Sequence, residues 1–253
     1  MYSNGYIFRY ASIMVILVAA LLSAAAILLQ PAQERNVKIE KIQDILRSAN
    51  IESTTSNAEE LYEKYIVKEI VINSAGEELG VYANGAFEKG DRRAFLIDLK
   101  TELKAKQQIK QGKPAQEPVF PIFVCHKDNE DIFIIPLYGM GLWGPVWGNI
   151  ALKGDLNTVV GVTFGHKGET PGLGAEISTD IFTDQFPSKK IFDENGNFKS
   201  IVVVKGSVSN SNINPAHGVD GISGGTITSN GVSAMINDGL ENYVTYFKNQ
   251  KAI

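Results

Sequence analysis

From Ala11 to Leu29 the chain places no charged side chain in 19 consecutive positions, and only Ser12 and Ser23 interrupt the apolar run. In a bilayer such a segment can satisfy its backbone only as a helix, and about 20 residues suffice to cross. A secretory signal has an apolar core of about 7–15 residues that ends at a small-residue cleavage site. Here Ser23-Ala24-Ala25-Ala26 runs straight on into Ile27-Leu28-Leu29, so the segment reads as an uncleaved, single-pass anchor. Arg9 precedes it, and Arg35, Lys38 and Lys41 come after it. Those charges leave the orientation open, because long domains translocate largely regardless of local counts. The span also offers no ionisable group to conduct an ion.

Beyond the span the chain has an ordinary globular composition, 44% hydrophobic and 21% charged over 253 residues, so it can bury a core. With a net charge of -4 and no Lys/Arg stripe, a nucleic-acid surface is excluded. The one cysteine, Cys125, cannot form an intrachain disulfide and sits in an apolar, strand-like run, as a core residue would. His126, His166 and His217 lack the short spacings of a zinc site, and no metal centre is expected.

Taken in order, Gln30-Pro31-Ala32-Gln33 ends the hydrophobic helix, and Ile39, Ile42, Ile45 and Leu46 form a short amphipathic one. Ser56-Asn57-Ala58-Glu59 reads as a capping box opening a helix through Leu61 and Tyr65, and Val67–Ile72 reads as a strand. The lysine-rich stretch from Lys100 to Lys113 is a solvated helix or loop. Val119–Val124 and Asp131–Leu137 make a hairpin across His126–Glu130. Ile150–Leu152, Val159–Phe164 and Ser200–Val204 complete an antiparallel sheet, with turns at 154–157 and 193–197. Ser178–Phe186 reads as a short helix stopped by Pro187. The expected class is α+β, an N-terminal transmembrane helix and one domain with a central, mostly antiparallel sheet and flanking helices. Its segments are an anchor at 1–30, a mixed helical lead-in at 31–118 and a core at 119–253.

Three glycine-dense loops stand out, around 139–148, 165–174 and 221–225. The first holds both tryptophans, Trp143 and Trp147, and could be a turn closing a sheet or an apolar wall for a flat ring. The last opens Asp220-Gly221-Ile222-Ser223-Gly224-Gly225-Thr226-Ile227-Thr228-Ser229. Val232, Ile236, Leu240, Tyr243, Val244 and Phe247 then recur at helical spacing, with Thr228 or Ser229 as N-cap. A Gly-Gly-Thr at a helix start offers free amides and the positive end of the dipole to an anion, most naturally a phosphate. If the loops converge, they supply an aromatic wall, a backbone-lined middle and an anion-binding end. The sequence has neither a P-loop nor a strand-to-helix Gly-x-Gly-x-x-Gly. Gly221-Ile222-Ser223-Gly224-Gly225 formally satisfies a hydrolase nucleophile elbow, but no histidine lies beyond His217, as that fold requires.

These residues resemble a known family. Asp220 to Thr226 resembles the Asp-x-x-Ser/Thr-Gly-Ala-Thr flavinylation motif of FMN-binding-domain proteins, and Glu169-Thr170-Pro171-Gly172-Leu173-Gly174 resembles their second signature. With the single span, the Gly-Leu-Trp-Gly loop and this length, the resemblance is closest to the C-subunit family of sodium-translocating NADH:quinone reductases. The G subunits of Rnf electron-transport complexes share both motifs and are the alternative. A membrane-anchored flavin-binding or interaction module outside any pump is the other.

The resemblance implies covalent FMN, joined through its phosphate to the Thr226 hydroxyl by a flavin transferase that uses FAD and magnesium. Asp220, Ser223, Gly224, Gly225 and Thr228 would belong to the recognition sequence. Trp143 and Leu173 would pack on the isoalloxazine, with Glu169, Thr170 and Gly174 along its edges and ribityl chain. It further implies a flavoprotein relaying electrons within a complex of six subunits in the bacterial inner membrane, with residues 119–253 as the FMN-binding core facing the periplasm. That complex would oxidise NADH, reduce ubiquinone or another quinone and export sodium, and this protein would not be catalytic alone. Gly225 departs from the family's usual alanine.

Overall fold

The structure is a computed structural model describing residues 3–251. It divides into two compact units, residues 1–42 and 43–253. Helix α1 (Asn4–Ser48) contains the apolar stretch, exposed along its length, and continues through Pro31. The expected break after Leu29 is therefore absent. Proline removes one amide donor from a helix, but strong helix formers flank it here. Gln30 Nε2 donates to Glu34 Oε1 at 2.8 Å, bridging the proline from one turn to the next.

The second unit is organised on a seven-stranded antiparallel sheet in the order β3-β2-β1-β4-β5-β6-β7. The strands are β1 (Ile66–Asn73), β2 (Glu78–Ala83), β3 (Ala86–Lys89), β4 (Val119–Lys127), β5 (Glu130–Met140), β6 (Pro145–Leu152) and β7 (Val159–His166). β1, from the lead-in, pairs with β4 along its whole length. β4 is apolar at successive positions because both its faces are covered. Phe120, Ile122 and Val124 point into the main core, while Phe123 meets the Tyr62 ring on the other side. Cys125 is also fully buried, and burial pushes its thiol up to about 11.

On that second face, the Thr163 hydroxyl donates to the Asp44 carbonyl at 3.2 Å. Helix α2 (Ala58–Tyr65) starts from Asn57 as N-cap. The expected capping box does not form, because the Asn57 side chain instead accepts from the Thr54 amide at 2.7 Å. Glu69 is buried beneath this helix and is matched by Arg93, the Tyr62 hydroxyl and the Phe95 amide. Helix α3 (Leu99–Lys110) is capped by Asp98 and has no buried residue, as its lysine content requires.

After β7 the chain leaves the sheet. A 3-10 turn (Gly174–Ser178) and the one-turn helix α4 (Asp180–Thr183) replace the longer helix expected up to Pro187. Ser200–Val204 does not join the main sheet. Only Val202–Val204 is a strand, β8, paired in parallel with β9 (Gly218–Asp220). Ser200 takes a left-handed φ of 60°, which turns the chain away, and the Val203 amide donates to Ser233 Oγ at 2.7 Å.

The closing helix is two helices, α5 (Thr226–Glu241) and α6 (Val244–Lys251). Asn242 ends the first by donating its side-chain amide to the Asp238 and Gly239 carbonyls. Val232, Ile236, Leu240, Tyr243 and Phe247 are buried as the spacing predicted. Such side chains each contribute about 1.5–3 kcal/mol relative to exposure. α5 lies close on β5 because Gly139 faces Met235, and Gly231 faces the Met140 carbonyl, with no room for a Cβ at either.

Candidate functional site

The three glycine-dense stretches meet at the end of the sheet. β5 and β6 are joined by residues 141–144, closed by the Gly141 amide donating to the Gly144 carbonyl at 2.8 Å. The second loop leaves β7 and folds back where the Leu173 and Ala175 amides donate to the Thr170 carbonyl, each at 3.1 Å. The third runs from β9 through Gly221 to the start of α5.

Glu169 joins them. The residue is 4% exposed. Its Oε1 accepts from the Trp143 amide at 2.8 Å, and its Oε2 from the Thr228 hydroxyl at 2.5 Å. Its own amide donates to His166 Nδ1 at 3.1 Å. One side chain thus holds two loops and a helix start together. Glycines make room for it. A Cβ at Gly141 would lie 2.6 Å from Oε1, and one at Gly174 would lie 2.5 Å from Oε2.

The helix start is at Thr226, one turn earlier than the capping pattern implied, with Gly225 as N-cap. Thr228 and Ser229 cannot cap because both are buried and engaged. Thr228 donates to Glu169, and the Ser229 hydroxyl accepts from the Ile222 amide at 3.3 Å. Gly225 has no side chain to bond the leading amides, which a helix leaves without internal acceptors. Gly224 precedes it at a φ of 74°, and a Cβ there would lie 2.5 Å from Leu173 Cδ2. Thr226 is half-buried, Ser223 and Gly224 are exposed, and Thr170 is exposed. At Gly225 a Cβ would come 3.0 Å from Ile222 Cγ2, so alanine fits after a small shift of that side chain.

Asp220 is part of the framework. Its carboxylate accepts from the Ser207 hydroxyl and, at 2.7 Å, from the Val208 amide. The Gln185 side chain grips its backbone, accepting from the amide at 2.8 Å and donating to the carbonyl at 3.4 Å.

Around the helix start stand large apolar side chains in water. Trp143 is 68% exposed and Leu173 41%, and Met140, Leu142 and Ile227 are exposed too. Trp147 is not among them. It lies in β6 with its indole against Gly165. A helix start with open amides beside an apolar rim fits the phosphate and the flat ring of FMN. The elbow reading has no support, since no histidine follows Ser223 in the chain, as that fold requires. Among the described residues no cluster of histidine, cysteine or carboxylate side chains could hold a metal.

Residues 141–241 match the family model of the FMN-binding domain. The chain is 35% identical to the C subunit of the Na(+)-translocating NADH-quinone reductase of Vibrio parahaemolyticus, over 84% of this chain and 81% of that one. It is 30% identical to the protein of the same name from Pseudomonas aeruginosa, over 95% and 97% of the two chains. The crystal structure of the corresponding protein from Parabacteroides distasonis superposes with a TM-score of 0.72 at 39% identity, covering 87% of this chain and 96% of the other. The chain belongs to this C-subunit family. Its FMN-binding domain is thus that of the family, and its fold matches that of the solved relative. Sequence reasoning placed Glu169 on the edge of the ring and missed that its carboxylate ties the loops. It also missed His166 as the acceptor behind it. The only local signal was the pair of glycines, Gly141 and Gly174, on either side.

Proposed function

We propose that this protein is the FMN-carrying, electron-transferring subunit of a membrane Na+-translocating NADH:quinone reductase, with FMN held as a phosphoester on Thr226. The observation that carries the reading is the position of Thr226. Among Ser223, Thr226, Thr228 and Ser229, it alone combines the first helical position with a side chain not committed to the core. A phosphodiester formed there lies among the leading amides and the positive end of the dipole. The Thr226 hydroxyl oxygen would hold the flavin phosphate; its attachment from FAD would release AMP and leave the hydroxyl proton with the transferase. A free threonine hydroxyl is too weak a nucleophile to do this unaided.

FMN supplies the electron-carrying chemistry when bound; the chain supplies position and environment. Trp143 and Leu173 give an apolar wall that keeps water from a ring face. Gly224, left-handed at 74°, lets the loop turn into the helix. Glu169, Thr170 and Gly174 stand on the loop beside the helix start, while Asp220, Ser223, Gly225 and Thr228 shape the loop a transferase would read. Because the stretch Ala11–Leu29 carries no ionisable group, sodium passage belongs to the other members of a complex of six. The domain beyond the span faces the periplasm of a bacterial inner membrane in this reading.

The full chain, made in cells that contain the transferase, is expected to give a fluorescent band on a denaturing gel, and Thr226→Ala is expected to abolish it. A dark wild-type band, or an equally bright variant, would sink the covalent assignment. Mass spectrometry of the peptide containing Thr226 locates the FMN phosphoryl group directly.

A further inference from the structure

We infer that Glu169 is a positioning residue, whose carboxylate sets the Trp143 loop against the helix start through the Trp143 amide and the Thr228 hydroxyl. The inference deepens the proposed function and rests on its reading of these loops as the flavin pocket. Three observations converge on it. Glu169 is buried, 4% exposed as a residue, and its two carboxylate oxygens are divided between two different elements, at 2.8 and 2.5 Å. Glycines at 141 and 174 leave the space it fills. His166 accepts from the Glu169 amide at 3.1 Å and fixes its backbone from behind.

The base of the Trp143 loop packs on α5 at Gly231, but its tip has few other ties. Its own closure is the single bond from the Gly141 amide to the Gly144 carbonyl, and both Leu142 and Trp143 point into solvent. Such a loop, at the low-stability end of a fold, takes its geometry from whatever anchors it. Glu169 therefore decides where the Trp143 wall stands relative to Thr226, which begins the helix that Thr228 shares. It also withholds the Thr228 hydroxyl, two residues from Thr226, from any competing modification.

The test uses the full chain in detergent with selectively labelled tryptophan, of which there are two. Trp147 lies inside the β5–β6 and β6–β7 ladders and serves as the internal reference. In Glu169→Ala the Trp143 amide is expected to exchange with solvent up to about tenfold faster, the scale of a lost buried hydrogen bond, while Trp147 stays unchanged. Glu169→Gln is expected to restore most of the protection, since its carbonyl can accept from Trp143 and its amide can donate to the Thr228 oxygen. If the alanine variant does not fold, Thr228→Val keeps the carboxylate and removes one anchor, with about a threefold rise expected.

Unchanged Trp143 exchange in these variants would overturn the inference, as would parallel acceleration of Trp147. In flavinylated protein the visible flavin absorbance is expected to shift in Glu169→Ala and return in Glu169→Gln. A flavin spectrum indifferent to Glu169 would overturn its role in setting the wall. Wild-type chain without flavin would instead overturn the proposed function, a failure recognised before any variant is made.

Discussion

The two turns at either end of β5 reverse the chain by opposite means. Between β4 and β5 the loop is two residues, Asp128 and Asn129, with φ values of 53° and 62°. Both are left-handed, the geometry that matches the twist of the flanking strands, and asparagine tolerates it well. That turn is polar, complete in itself and borrows nothing. Between β5 and β6 the loop is Gly141-Leu142-Trp143-Gly144, with large apolar side chains in water and a central amide satisfied by a carboxylate 26 residues away. A loop that only has to turn commits its residues to backbone geometry. A loop that presents a surface gives up self-sufficiency and is anchored from outside.

That contrast can be broken experimentally. The largest effect is expected from Gly174→Ala, whose methyl would enter the space held by Glu169 Oε2 and the Thr228 hydroxyl. Overpacking of this kind costs about 1–3 kcal/mol, read as a lower urea midpoint. A loss below about 0.5 kcal/mol, the range of an ordinary surface change, would mean that the anchored turn is not tightly built. At the self-contained turn, Asn129→Ala should cost about 1 kcal/mol through its left-handed backbone. Asn129→Gly should cost nothing or stabilise slightly. Flavin absorbance should not respond to either, and a response would join two turns that the comparison separates. The smallest stability effect is expected from Trp143→Ala, within about 0.5 kcal/mol for so exposed a side chain, together with a clear change in flavin fluorescence. A large stability loss there would show the tryptophan to be part of the core.

Much of this was legible in the chain. The hairpin across His126–Glu130, the apolar span, the helical face from Val232 to Phe247 and the three glycine-dense loops all come from period, charge and turn chemistry, whereas that the loops meet was only a condition. What was not legible depends on contacts between distant residues. Ser200–Val204 has strand composition, yet its partner is the short Gly218–Asp220 run, which no local pattern marks. Thr228 and Ser229 look like caps, and only the buried Glu169 and the Ile222 amide reveal that their hydroxyls are committed elsewhere. Glu169 reads from the second signature as a residue at the ring edge, and its role as a tie appears only when the fold brings Trp143 and Thr228 to it.

Pro31 carries a consequence of another kind. A proline within a helix leaves the carbonyl four residues earlier without its amide partner, and here that residue is Ile27. In a chain anchored by Ala11–Leu29, Ile27 stands two residues, or about 3 Å at 1.5 Å per residue, from the end of the apolar stretch. If this candidate span crosses a bilayer, the freed carbonyl would lie at the level of lipid headgroups and water, whereas near the middle of the span it would face hydrocarbon, where an unmatched polar group costs several kcal/mol. The proline thus acts as a depth mark. Moved one or two turns toward the amino terminus, the same residue would need a neighbouring helix, a hydroxyl side chain or a local 3-10 adjustment to satisfy the carbonyl it frees.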